Sequence, residues 1–119
     1  MLNCRQRLHF DPAPLIRLFA EKELHQAEEI VCRMLEDIAM QLDLLQRGLA
    51  QRDFVKAQQP VRRIALAADR IGLIEVGVSA GHVRACLKHG DGIALEATVA
   101  RLERGFDVAV TEIWSFRDL

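Results

Sequence analysis

At 119 residues the chain is long enough to bury one hydrophobic core and too short for two. Hydrophobic residues make up 50% and charged residues 28%, with a formal net charge of −1, a balance that excludes a disordered chain. No apolar run approaches the roughly 20 residues that a bilayer-spanning helix needs, so no membrane span is expected.

Periodicity along the chain is helical nearly everywhere. Asp11 followed by Pro12 predicts a helix start, because the carboxylate accepts from free amides and proline tolerates the first helical turn. The short helix that follows is expected to run to about Ala20. Leu24, Ala27, Val31, Met34, Ile38, Leu42, Leu45 and Leu49 then recur at spacings of three and four. They predict a long amphipathic helix with Glu28, Glu29, Asp37 and Arg47 on its wet side. Asp53 is expected to cap a third helix, whose buried stripe is Phe54, Ala57, Val61, Ile64, Ala68 and Ile71. Pro60 lies inside that helix and removes a backbone hydrogen bond, so a kink is expected there. Gly72 closes it.

Leu73, Val76, Ala80, Val83 and Leu87 mark a fourth helix, ending at Gly90, a residue suited to a left-handed cap. Asp91 opens the fifth, with Leu95, Thr98, Leu102, Phe106, Ala109 and Ile113 on its buried face. Nothing alternates like a strand for more than a few residues. Short links force consecutive helices to run antiparallel. The expected fold is therefore all-α, an antiparallel up-down-up-down four-helix bundle with a short N-terminal cover helix. Residues 1–10 form an N-terminal extension and 11–119 the single bundle domain.

Charge is unevenly spread. Residues 1–51 hold six Lys/Arg against eight Asp/Glu, residues 52–90 hold seven against three, and residues 91–119 hold three against six. The basic middle either meets an acidic partner or is neutralised by its own acidic neighbours. Arg5 and Arg7 have no apolar run behind them, so no secretory signal is read and a cytoplasmic location is expected. Cys4, Cys32 and Cys86 are odd in number and widely separated, which predicts reduced, mostly buried thiols rather than a disulfide framework or a zinc knuckle.

A second pattern overlies the third helix and its flanks. Arg52 and Asp53 precede it. The stretch Arg62, Arg63, Ile64, Ala65, Leu66, Ala67, Ala68, Asp69, Arg70, Ile71, Gly72 lies within it, and Gly90, Asp91 form the following turn. From Leu42 through Asp91 the chain resembles a histidine phosphotransfer domain of bacterial phosphorelays, and the likeness extends weakly to almost the whole chain. That family carries His-x-Leu-Lys-Gly, two small residues, two variable ones, then Ile or Leu and Gly. The hydrophobic positions, both small residues and the closing Ile-Gly match, whereas Arg62, Ala65 and Leu66 stand where the family has His, Lys and Gly.

Each departure removes a physical task. The histidine accepts phosphate on a neutral, nucleophilic ring nitrogen, and arginine is permanently protonated. Ala65 offers no charge to phosphoryl oxygens, and Leu66 fills the space a glycine leaves open. The resemblance thus implies a phosphorelay module that carries no phosphate, with no catalytic residue and no cofactor, and regulates by binding a response-regulator receiver domain or a histidine kinase.

Helical spacing places Val55, Gln59, Arg62, Leu66 and Asp69 on one outward stripe with Arg63 beside it. Arginine with an apolar neighbour is the composition of a contact surface. In the family this surface docks a receiver whose active site is acidic, and Arg62 would enter it as a fixed cation. The competing expectation is that Arg62 and Arg63 are solvated charges and that the N-terminal helix covers Leu66. A further alternative is a structural or oligomerising bundle, a possible homodimer in which the likeness records ancestry only.

His82, Cys86 and His89 fall at i, i+4 and i+7 of the fourth helix, but no fourth ligand is placed by sequence and no metal site is assigned. Gly77 and Gly81, with Ala80 and Ala85, would allow a close approach to a neighbouring helix. Nucleic-acid binding is not expected, since Asp69 and Glu75 interrupt the basic stretch. No glycine-rich phosphate loop, Gly-x-Ser-x-Gly elbow or His-Glu-x-x-His pair occurs, so the protein is read as a non-enzyme.

Overall fold

The computed structural model describes residues 10–117. Among them are five helices: α1 (Ala13–Glu21), α2 (Leu24–Ala50), α3 (Phe54–Arg70), α4 (Ile74–His89) and α5 (Gly92–Arg117). No strand occurs among the described residues. None of these helices is long and apolar enough to cross a membrane. Helices α2, α3, α4 and α5 pack each against the next, and α1 lies against α2. Gln46 of α2 donates a 2.5 Å hydrogen bond to Glu103 of α5, which joins the first long helix to the last.

Three carboxylates start helices as their positions predict. The Asp11 side chain accepts from the Ala13 amide at 3.0 Å, Asp53 from Lys56 at 3.0 Å and Asp91 from Ala94 at 3.1 Å. Each satisfies one of the amides that a helix start leaves without an internal partner. Gly90 ends α4 in the left-handed conformation, with φ +71°. Gly72 has φ +76°, and its carbonyl accepts from the Asp11 amide at 2.6 Å, tying the entry of α1 to the turn between α3 and α4. Helix α3 runs unbroken through Pro60, whose ring is buried in the core-facing stripe.

The core runs the length of the bundle, with Val31, Ile38 and Leu45 of α2, Val61 and Ile64 of α3, Val76 and Val83 of α4, and Leu102 and Ile113 of α5. Several positions differ from the periodic reading. Leu24 is 61% exposed, at the edge of an apolar hollow that it borders with Phe19 of α1 and Ile113 of α5. Met34 and Leu49 are half-buried and pack against the core as expected, with Leu35 and Gly48 beside them more deeply buried, and Val99 is buried beside half-buried Thr98. Both residues of each pair border the same stripe, and the neighbouring helices cover one more fully than the other. Phe10, assigned by sequence to the N-terminal extension, is 3% exposed and part of the core. Residues 1–9 of that extension, including Cys4, lie outside the described residues. Cys32 is exposed on α2 rather than buried, and Cys86 is half-buried.

Candidate functional site

Gly48 lets α2 approach α3 closely, since a methyl group there would lie 3.2 Å from the Ala57 Cβ. On the outer surface the two helices border two adjoining hollows. The first, about 450 Å3, is bordered by Gln59, Arg62, Arg63, Leu66, Ala67 and Arg70 of α3 and by Asp37 of α2. The second, about 500 Å3, lies between Gln41, Leu44, Arg47 and Gln51 on one side and Lys56, Pro60 and Arg63 on the other. Gln59 and Arg63 border both.

Helical geometry explains the first hollow. Positions 59, 63, 66 and 70 of α3 succeed one another at spacings of four, three and four, and 62 lies three after 59 and four before 66, so their side chains share one face. The opposite face carries Ala57, Val61, Ile64 and Ala68 in the core. Arg62, Arg63 and Arg70 are exposed, and Leu66 is 57% exposed between them. Three guanidinium groups thus surround one apolar side chain, with the Asp37 carboxylate the single acidic group at the rim. That carboxylate accepts a long 3.5 Å hydrogen bond from Gln41 of its own helix. Arg47 at the second hollow pairs with Asp43 at 3.0 Å, an exposed i, i+4 ion pair of small energetic weight.

Gln59, Arg62, Arg63 and Leu66 of the sequence-derived stripe are therefore brought together, and two of its members are placed elsewhere. Val55 is 85% exposed one turn before the hollow and does not border it. Asp69 turns to a different hollow, with Asp11, Gly72, Ile74 and Val78. At 100° per residue a stripe drifts around the helix over four turns, so its two ends face different neighbours. Asp37 and Arg70 were not singled out. Arg70 is reachable from Arg63 by helical spacing, whereas Asp37 joins through the pairing of α2 with α3. Leu66 is left uncovered by α1, whose start lies at the Gly72 turn.

His82 and His89 are exposed on α4, and the Cys86 sulfur between them faces α5, where Thr98 donates to it at 3.8 Å. Among the described residues no group of three or more histidine, cysteine or carboxylate side chains is placed to hold a metal ion. No family model matches the chain, and no curated protein and no solved structure matches it.

Proposed function

We propose that this protein is a phosphotransfer-like module of a bacterial two-component phosphorelay that binds a receiver domain through Arg62 and carries no phosphate. The observation that carries this reading is the clustering of Arg62, Arg63 and Arg70 around exposed Leu66. A receiver's phosphorylation site is a pocket of carboxylates, and a fixed guanidinium forms charge-assisted hydrogen bonds there without adding a nucleophile. Leu66 supplies the apolar contact that such an anchor needs around it to exclude water.

The finer topology belongs to the same proposal: an antiparallel up-down-up-down bundle of α2 to α5 with α1 as its cover. Links of two or three residues between successive helices favour it. So does the proximity of Leu49 and Phe54, at the turn between α2 and α3, to Gly90 and Leu95 at the turn between α4 and α5. A receiver partner would place the protein in the cytoplasm.

Calorimetric titration with receiver domains of the same cell tests the reading. The expected result is binding that Arg62→Ala weakens by at least about tenfold, the loss of one charge-assisted hydrogen-bonded contact. Absence of binding to every receiver, or binding indifferent to Arg62→Ala, overturns it.

A further inference from the structure

Helix α4 carries a second surface that the Arg62 groove does not use. Its core side is Val76, Ala80, Val83 and Leu87. On the opposite side, Ile74 and Val78 are 55% and 50% exposed, and Gly81 and Ala85 follow them in exposed positions. Positions 74, 78, 81 and 85 repeat at four, three and four, the spacing of a helix-pairing seam. No charged residue interrupts the seam from Ile74 to Ala85, and a Cβ added at Gly77 or Gly81 would meet nothing within 4 Å.

We infer that this seam pairs with the α4 seam of a second copy of the chain, in an antiparallel twofold dimer centred between Ser79 and Ala80. Size complementarity identifies the occupant. The large residues lie in the first half of the seam and the small ones in the second, at matching distances from that centre. Reversing the second helix sets Ile74 opposite Ala85 and Val78 opposite Gly81, so each branched side chain meets a place with room for it. A parallel pair would set Ile74 against Ile74 and leave Gly81 facing Gly81 across a gap. A twofold axis makes every such contact twice.

Charge selects the same orientation. At 100° per residue, Glu75, His82 and His89 border one side of the seam, and Arg84 and Lys88 the other. In an antiparallel pair like sides meet, so Glu75 comes alongside His82 of the second copy. In a parallel pair opposite sides meet, so Glu75 comes alongside Gly77 of the second copy and has no hydrogen-bonding side chain opposite it. One helix face buries less than the roughly 800 Å2 per partner of a standard interface, so the dimer is expected to dissociate on the order of tens of micromolar.

Sedimentation equilibrium over a concentration series tests the dimer, with isotope-filtered nuclear Overhauser spectra of a half-labelled sample reporting its orientation. The expected result is a monomer–dimer equilibrium with contacts between Ile74 methyls and the Ala85 methyl of the other copy. Val78→Arg and Gly81→Arg should each shift the dissociation constant upward at least tenfold, with far-ultraviolet circular dichroism unchanged. Gly81→Arg also replaces an exposed helical glycine by a better helix former, so its monomer should melt no lower than wild type. A monomer at all concentrations up to about 1 mM, a dimer that tolerates both substitutions, or intermolecular contacts between Ile74 and Ile74 overturns the inference. Arg62→Ala should leave the dimer intact, which separates failure of this seam from failure of receiver binding.

Discussion

The amide of Asp11 donates a 2.6 Å hydrogen bond to the carbonyl of Gly72, across 61 positions of sequence. The reverse face of this contact is as close: a Cβ at Gly72 would lie well inside van der Waals contact distance of the Asp11 carbonyl oxygen, and would also press the Pro14 ring at 3.3 Å. The turn between α3 and α4 and the entry of α1 therefore fix one another, and only a residue without a side chain fits between them.

Gly72→Ala should consequently destabilise the protein by about 2–4 kcal/mol, from a left-handed backbone and a steric conflict together. Gly90→Ala shares the left-handed conformation, with φ +71°, but has open space around it, and should lose only about 1 kcal/mol. Urea denaturation of both variants measures the difference. Equal losses would mean that the Asp11 contact yields freely.

Two helical glycines should respond differently to alanine for the same reason. Gly105 in α5 has no atom within 4 Å of an added Cβ, so Gly105→Ala should stabilise by roughly 0.5–1 kcal/mol through helix propensity alone. At Gly48 the same gain is opposed by the Ala57 Cβ at 3.2 Å, where α2 and α3 touch. Gly48→Ala should therefore gain less or lose stability, and a shift in urea midpoint above that of Gly105→Ala would contradict the close packing of those helices.

The proposed reading as a phosphotransfer-like module makes a prediction of its own. If Arg62, Ala65 and Leu66 are what prevents phosphate transfer, then combining Arg62→His, Ala65→Lys and Leu66→Gly should create a protein that takes acid-labile label from a phosphorylated receiver. The imidazole supplies the nucleophile, the ammonium a charge for the phosphoryl oxygens, and the glycine room around the ring. Arg62→His alone should remain unlabelled, and so should the wild type. Label on the unaltered protein, at His82 or His89, would refute the reading of it as a binder that carries nothing.

What the sequence determined by itself was local. Spacings of three and four drew α2 to α5, and Asp53, Asp91, Gly72 and Gly90 marked their limits, because capping and left-handed turns depend on a few neighbouring residues. The same spacing gathered Gln59, Arg62, Arg63 and Leu66 on one face of one helix. Tertiary structure decided what lay across a gap. It buried Leu35 more deeply than Met34 and Val99 more deeply than Thr98, drew Phe10 into the core, and brought Asp37 to the hollow that Arg62 and Arg70 border. A helical period states which residues share a face, but the neighbouring helix and its distance decide which edge of that face is sealed and which is left to solvent.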